Sequence, residues 1–155
     1  MRKAVFPGSF DPITKGHENV VRRGLNLFDE VVVAVGVHSS KSCMFSTEER
    51  LAMIEETFAD EPRVVVKTYD GLTVDFCRSV GASTQLRGVR NESDLTYEQT
   101  IASMTRAMRP DMDTVILLTD LQFAAIHSTV VRDVLKHGGD VAAFVPVAIA
   151  HRFAR

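Results

Sequence analysis

Short apolar segments and amphipathic segments alternate along the whole chain. Runs rich in β-branched apolar residues predict buried strands at 3–6, 30–37, 63–67, 84–87 and 114–119. Apolar residues at helical spacing predict helices at 17–28, 46–58, 73–80, 94–108 and 129–137, with one more after Pro146. Strands that alternate with helices are joined by right-handed crossovers into a parallel sheet. We therefore expect an α/β fold: a single-domain Rossmann-like doubly wound sheet of mostly five parallel strands, with helices on both faces, spanning residues 1–155.

Composition is that of an ordinary globular protein and excludes several classes. Hydrophobic residues make up 45% and charged residues 25% of the 155 positions, which excludes a disordered or fibrous chain. The 18 basic and 20 acidic residues give a net charge of −2, so we expect neither nucleic acid nor a membrane as a partner. Two cysteines, Cys43 and Cys77, are too few for a disulfide framework. Because Pro7 interrupts the first apolar run, we expect no signal peptide and a cytoplasmic protein.

The loop at 7–17, PGSFDPITKGH, carries the most distinctive chemistry. Parallel sheets bind ligands at the carboxyl ends of their strands, and this loop follows the first strand. Ser9 offers a hydroxyl close to the end of that strand. His17 lies in the first turn of the next helix, where free backbone N–H groups form an anion site. The loop matches neither GxxxxGK[ST] nor GxGxxG, so it is not one of the common nucleotide-binding loops.

Three later loops carry groups that suit phosphate. Lys41 follows the second strand and is a point charge. Arg87 and Arg90 lie at the end of a strand and suit bidentate recognition of phosphate groups. Ser128 and Thr129 begin a helix, which makes a second N-terminal anion site. Each feature alone is an ordinary surface feature, but together at one sheet edge they predict a phosphate-binding site.

These loops together resemble the nucleotidylyltransferase superfamily, which is marked by a (T/H)xGH loop and a later ISSTxxR-like loop. Within it, the chain resembles the bacterial phosphopantetheine adenylyltransferase family from position 4 to about 146. The most specific segments are PGSFDPITKGH (7–17), MFSTEER (44–50), RGVRNESDLTYE (87–98) and GGDVAAFVP (138–146). The resemblance implies an enzyme that transfers the adenylyl group of ATP to 4′-phosphopantetheine, giving dephospho-coenzyme A and pyrophosphate. It also implies Mg²⁺ bound with ATP, and a homo-oligomer, specifically a hexamer.

The resemblance implies roles for the groups that handle the reacting phosphates. His17 would bind the α-phosphate of ATP, with Lys41 and Arg90 as the other catalytic residues. The attacking phosphate would be held by Ser9, Lys41 and Arg87. The chemistry would be direct in-line attack, which needs positioning and charge stabilisation rather than a protein nucleophile.

The resemblance further implies binding residues for the rest of each substrate. Leu72 and Thr73 would lie nearest the pantetheine arm. ATP would contact a larger set: Ser9, Phe10, His17, Gly88, Val89, Arg90, Glu98, Phe123, Ala124, Ala125, Ile126, His127, Ser128 and Thr129. No residue is implied as a protein ligand of a metal.

The chain departs from the family pattern at two places that matter. The family usually continues Lys-Pro where Ser42 and Cys43 follow Lys41 here. It commonly has a run of serines where this chain has Ile126-His127-Ser128-Thr129. His127 brings an ionisable ring that either contacts phosphate or faces solvent.

Two other functions compete with this interpretation. A relative in the same superfamily would use nicotinamide mononucleotide or a phospho-alcohol as acceptor. The pair Arg87 and Arg90, with Thr-Tyr-Glu at 96–98, argues against that acceptor class. A non-catalytic nucleotide-binding regulator would be expected to lack His17 or the cations, and all of them are present.

Overall fold

The computed structural model describes residues 1–37 and 42–154. Its five strands are β1 (Lys3–Gly8), β2 (Glu30–Gly36), β3 (Val64–Tyr69), β4 (Thr84–Val89) and β5 (Asp113–Leu118). They form one sheet in the order β3-β2-β1-β4-β5, and every neighbouring pair is parallel. The predicted doubly wound parallel sheet is confirmed.

The helices occupy the connections between strands and the C-terminal part of the chain. They are α1 (Lys15–Gly24), α2 (Thr47–Thr57), α3 (Thr73–Ser79), α4 (Glu92–Met108) and α5 (Ser128–Lys136). Two 3₁₀ segments follow β5 and α5, at Leu121–Phe123 and Val147–Phe153. Within the described residues, no helix combines the length and apolar character that a membrane span needs.

Helices cover both faces of the sheet. On one face, α1, α2, α5 and the C-terminal 3₁₀ segment pack into a single apolar cluster with the central strands. On the other face, a smaller cluster centres on Cys77 in α3. The helix α4 lies against β4 and β5, and Arg109 at its end donates to the carbonyl of Val74 in α3. Because both faces are covered, Val31 to Val35 in β2 are almost fully buried.

The strand β1 runs to Gly8, so the prediction that Pro7-Gly8 ends it is wrong. Parallel β1 and β4 pair only at Ala4 and Val5 of β1. Beyond those residues β1 forms no strand hydrogen bonds with β4. Proline lacks a backbone N–H, and at position 7 this costs no hydrogen bond to β4. The Pro7 carbonyl instead accepts a hydrogen bond from Arg87 Nη1 at 2.9 Å.

Other boundaries shift for identifiable reasons. Thr14 caps α1, so the helix begins at Lys15, before the predicted position 17, and it ends at Gly24 rather than at 28. Asn91 caps α4 and starts it two residues earlier than predicted. The strand β4 continues through Val89, so Arg87 and Gly88 lie in a strand rather than in the predicted loop. The predicted C-terminal helix is a 3₁₀ segment.

Gly24 lets α1 approach the sheet closely enough to hold its N-terminus at the sheet edge. A methyl group on Gly24 would lie 2.6 Å from Leu86 Cδ2, and Leu86 is fully buried in β4. Gly24→Ala should therefore destabilise the protein by about 1–3 kcal/mol through overpacking, despite the better helix propensity of alanine.

Urea denaturation of Gly24→Ala, Leu86→Val and the double variant measures this effect. The shorter valine should relieve the clash, so the double variant should lose about 1 kcal/mol less than the sum of the single variants. Simple additivity of the two losses would contradict this packing interpretation.

Candidate active site

A cavity of about 400 Å³ opens at the carboxyl ends of β1 and β4. Its wall combines the first loop, the end of β4, the first turns of α4 and the start of α5. Most of the predicted nucleotide residues meet here: Phe10, His17, Gly88, Arg90, Glu98, Ile126, His127, Ser128 and Thr129. The structure thus brings together residues from four separate segments of the chain.

A second cavity of about 260 Å³ adjoins the first. Ser9, Thr73 and Arg87, three of the residues predicted for phosphopantetheine, line it, and Arg87 lines both cavities. Apolar side chains of α4, Ile101 and Met108, form part of its wall. Arg87 therefore lies where the polar first cavity meets the partly apolar second cavity.

The remaining predicted residues lie elsewhere. Leu72 caps α3 and is exposed, and it lines neither cavity. Val89 is buried at the end of β4. Phe123 ends the 3₁₀ segment after β5, Ala124 and Ala125 follow it, and all three lie outside both linings. Lys41 lies outside the described residues, so its predicted role stays a prediction.

The ring of His17 is held by the cap of its own helix. The backbone N–H of Thr14 donates to His17 Nδ1 at 3.0 Å, while His17 N–H donates to Thr14 Oγ1 at 3.4 Å. A backbone N–H can only donate, so Nδ1 must be the acceptor and the neutral ring carries its proton on Nε2. The rings of Phe10 and Phe6 pack edge-on against the imidazole, with centroids at 5.0 and 6.2 Å.

His17 is neutral at physiological pH. Burial, and then the positive charges of Arg90 and Arg87, lower its pKa from 6.5 to about 4. In the ligand-free protein its Nε2–H is therefore a hydrogen-bond donor, held in orientation by the Thr14 N–H on Nδ1.

Arg87 is fixed by a buried carboxylate. Its Nε and Nη2 donate to the two oxygens of Glu98 at 2.8 and 2.6 Å, and its Nη1 donates to the Pro7 carbonyl. The side chain of Glu98 is 8% exposed and lies behind Arg87, whose own side chain is 23% exposed. Glu98 thus orients the guanidinium, which still has two N–H bonds left for a ligand.

Arg90 joins the start of α4 to the loop before α5. Its Nε donates to Asp94 at 2.9 Å, and its Nη1 donates to the Ile126 carbonyl at 3.2 Å. Burial opposes ionisation of Asp94, but hydrogen bonds from the side chain and backbone of Arg90 outweigh it and lower the pKa of this carboxyl.

His127 faces the cavity. It is half-buried and lines the cavity wall together with Asp94. It begins α5 without a capping hydrogen bond from its side chain. The sequence left two alternatives for His127, a contact with phosphate or a ring that faces solvent. Its position in the cavity wall keeps the contact with phosphate possible in geometry.

Gly88 brings the backbone of β4 close to α1. A methyl group there would lie 2.6 Å from Val20 Cγ2, on a stiff β-branched side chain. Only glycine fits at this contact, and it leaves the β4 backbone open to the cavity between Arg87 and Arg90.

Sequence reasoning missed Asp11 and Arg132. Both line a third cavity of about 250 Å³ beside His17, at the N-terminus of α5. Arg132 Nη1 donates to the Asp11 carbonyl at 2.7 Å and lies 3.8 Å from the Asp11 carboxylate. Asp11 lies in the FDP part of the first motif, and Arg132 lies in the ISSTxxR-like motif. These two motifs could have identified both residues from the sequence.

Asp11 joins the first loop to the segment before α2. Its two carboxylate oxygens accept hydrogen bonds from the backbone N–H groups of Met44 and Phe45, both at 2.9 Å. Ser128 Oγ donates to the Pro12 carbonyl at 3.0 Å. The first loop is therefore held from two sides, by the segment before α2 and by the start of α5.

Solved structures of similar fold support this architecture. A bifunctional NMN adenylyltransferase/ADP ribose pyrophosphatase from Francisella tularensis, complexed with AMP and a manganese ion, aligns with TM-score 0.71 and 16% identity. The alignment covers 93% of this chain and 44% of that one. A proposed nicotinate-nucleotide adenylyltransferase from Vibrio parahaemolyticus aligns with TM-score 0.69 and 18% identity over 99% of both chains. At these identities the similarity supports the fold alone.

Sequence comparison is more specific. Residues 5–134 match the cytidylyltransferase-like family model. A phosphopantetheine adenylyltransferase from Flavobacterium johnsoniae is 52% identical over 149 residues, covering 96% of this chain and 97% of that protein. The corresponding proteins of Phocaeicola vulgatus and Levilactobacillus brevis are 47% and 44% identical, with coverage of 93% or more on both sides. The chain belongs to the phosphopantetheine adenylyltransferase family, within the cytidylyltransferase-like fold.

Proposed function

We propose that this protein transfers the adenylyl group of ATP to 4′-phosphopantetheine, releasing pyrophosphate and dephospho-coenzyme A. The observation that carries the proposal is the polar cavity that holds His17 together with Arg87 and Arg90 and adjoins a second, partly apolar cavity at Arg87. The high identity to phosphopantetheine adenylyltransferases over nearly the whole chain supports the same reaction.

The reaction needs one bond to form and one to break. A phosphate oxygen of phosphopantetheine attacks the α-phosphorus of ATP, and the bond from that phosphorus to the bridging oxygen of pyrophosphate breaks. Negative charge shifts to the leaving group, and the equatorial oxygens of the α-phosphorus open towards one plane and share the remaining charge. Donors already fixed in place stabilise that charge without reorganising. The Nε2–H of His17 and the spare N–H bonds of Arg87 and Arg90 are such donors.

The two cavities suggest how the substrates divide. Phosphopantetheine would place its phosphate near Ser9 and Arg87 and its arm along Thr73 and the apolar side chains of α4. ATP would lie in the first cavity, with its phosphates toward the N-terminus of α5 and Arg90. Arg87, which lines both cavities, would meet the attacking phosphate where the two substrates join.

Mg²⁺ would arrive bound to the phosphates of ATP. Among residues 1–37 and 42–154, no three His, Cys, Asp or Glu side chains come together as a cage for a metal ion. Mg²⁺ commonly takes one or two carboxylates together with substrate phosphates and water. The carboxylate of Asp94 at the cavity wall already pairs with Arg90, so the phosphates of ATP and water would supply most ligands of the ion. The ion would neutralise charge on the leaving pyrophosphate.

We also propose that the protein assembles as a homo-oligomer, a hexamer by its family, and works in the cytoplasm. The helix α4 supports assembly because two of its large apolar side chains, Leu95 and Met104, are exposed and line neither cavity, while the exposed Tyr97 and Met108 border the cavities. Such a surface on a monomer is typical of an interface.

Acceptor specificity is the first test of the proposed reaction. Pyrophosphate release from ATP and Mg²⁺ should occur with 4′-phosphopantetheine and stay at background with nicotinamide mononucleotide. A phospho-alcohol supplied with CTP should also give background. Pyrophosphate release only with another acceptor would support nucleotidyl transfer but would contradict phosphopantetheine as the substrate. No release with any acceptor would favour a nucleotide-binding regulator.

The role of His17 predicts a graded loss of turnover. His17→Ala removes the donor and should lower kcat by about 10²–10³-fold. His17→Gln keeps a side-chain N–H donor and the capping box with Thr14, so it should lose less. Steady-state kinetics of both variants measure this order. Near-normal turnover in His17→Ala would remove the assigned role.

The depressed pKa of His17 predicts a pH-dependent stability. Between pH 6.5 and about 4 the unfolded chain binds a proton at His17 that the folded protein does not, so stability falls as the pH falls through this range. On lowering the pH from 7.5 to 5, the ligand-free wild type should lose about 2 kcal/mol more stability than His17→Gln. Urea denaturation at both pH values measures the difference.

His137→Gln is the matched control, because His137 is an exposed histidine at the end of α5. The effect of His17→Gln is compared with this variant, which makes the same histidine-to-glutamine change outside the cavity. An identical pH dependence for wild type and His17→Gln would mean that the folded protein accepts the proton on His17.

A further inference from the structure

Arg50 is a buried arginine that contacts the first loop from behind. It lies in α2 and is 4% exposed. Its Nη1 donates to the Ser9 carbonyl at 2.8 Å, and its Nη2 donates to Thr47 Oγ1 at 3.2 Å. Its Nε is buried and has no hydrogen-bond partner among residues 1–37 and 42–154.

Unlike the two arginines of the cavity, Arg50 has no acidic side chain paired with it among the described residues. Arg87 pairs with Glu98 and Arg90 pairs with Asp94, each at hydrogen-bond distance. Both hydrogen bonds of Arg50 end on neutral oxygens. In the part of the chain that the structure describes, no carboxylate forms an ion pair with it.

A buried charge without a counter-ion is costly for folding. A hydrophobic side chain of similar length would fill the same space without that cost. An arginine at such a position therefore needs a reason beyond packing, and the contact with Ser9 supplies one. The next residue, Phe10, has a φ of 49°, in the left-handed region that a bulky side chain rarely adopts. The loop that carries the Ser9 hydroxyl thus needs external support.

We propose that Arg50 is a positioning residue for the phosphate site and supplies it with uncompensated positive charge from behind the first loop. Its guanidinium fixes the Ser9 carbonyl and therefore the loop backbone from which the Ser9 hydroxyl projects. Its charge, shielded from water, adds to the attraction that the site exerts on a phosphate. The phosphates in question are those of the proposed adenylyl transfer, so the inference rests on that function.

Two variants separate charge from packing. Arg50→Met keeps the length and removes the charge, so the Kd for inorganic pyrophosphate should rise about tenfold and kcat should fall. Arg50→Lys keeps the charge and can still reach the Ser9 carbonyl, so it should bind pyrophosphate within about threefold of wild type. Isothermal titration with pyrophosphate and steady-state kinetics measure both effects. Thermal unfolding of Arg50→Met should change little, because the desolvated charge and its two hydrogen bonds disappear together.

Arg63→Met is the matched control. Arg63 also donates to a backbone carbonyl, that of Leu25, but it lies just before β3, at the opposite end of the sheet from the site, and pairs with Glu61. This variant should leave pyrophosphate binding unchanged. If Arg50→Met does not fold, Arg50→Gln takes its place with the same expectation.

Each outcome decides the proposal. Wild-type affinity for pyrophosphate in Arg50→Met would overturn it, as would an equal loss in Arg50→Met and Arg50→Lys. An absence of pyrophosphate binding by the wild type would also overturn it, because there would be no anion site to serve. If pyrophosphate binding follows the expected order but phosphopantetheine gives no turnover, the proposed function fails and the role of Arg50 stands.

Discussion

The site depends on the short ladder between β1 and β4. The two strands pair only at Ala4 and Val5 of β1, and beyond that point they leave a crevice. The strand order reverses direction at this pair, so the crossovers from β1 and from β4 lead to opposite sides of the sheet. The Pro7 carbonyl, which has no strand partner on that side, accepts Arg87 instead. A break in the sheet thus becomes the place where the first loop and the arginines of β4 meet.

Charge at this crevice is arranged in compensated pairs. Buried Glu98 fixes Arg87, and partly exposed Asp94 fixes Arg90. Compensation keeps the folded protein free of a large self-repelling positive cluster, and it holds each guanidinium in one direction. The same pairing with carboxylates weakens the net attraction of the two arginines for phosphate. Uncompensated charge must then come from elsewhere, and the buried guanidinium of Arg50 fits that need.

Much of the fold and part of the site could be predicted from the sequence. Buried β-branched runs and capping residues determine strands and helices locally, so element types were predictable, while the extension of β1 through Pro7 depended on a missing strand partner. Residue types in motifs indicated His17 and the arginines. The pair of Arg90 with Asp94, four residues later in the same motif, could be read locally. The pair of Arg87 with Glu98, and the contact of Arg50 with the Ser9 carbonyl, depend on the packing of separate elements, which no local pattern records.

The protonation state of His17 shows why the site works as a unit. Burial lowers the pKa of the imidazole most, and the same two arginines that would bind phosphate lower it further, so a neutral donor and paired cations occur together. A protonated His17 would bind pyrophosphate more tightly and would slow the release of product. A neutral Nε2–H gives directional stabilisation of the α-phosphate without that added charge. The Thr14 N–H, which holds Nδ1 as an acceptor, therefore determines both the tautomer and the chemistry that the ring offers.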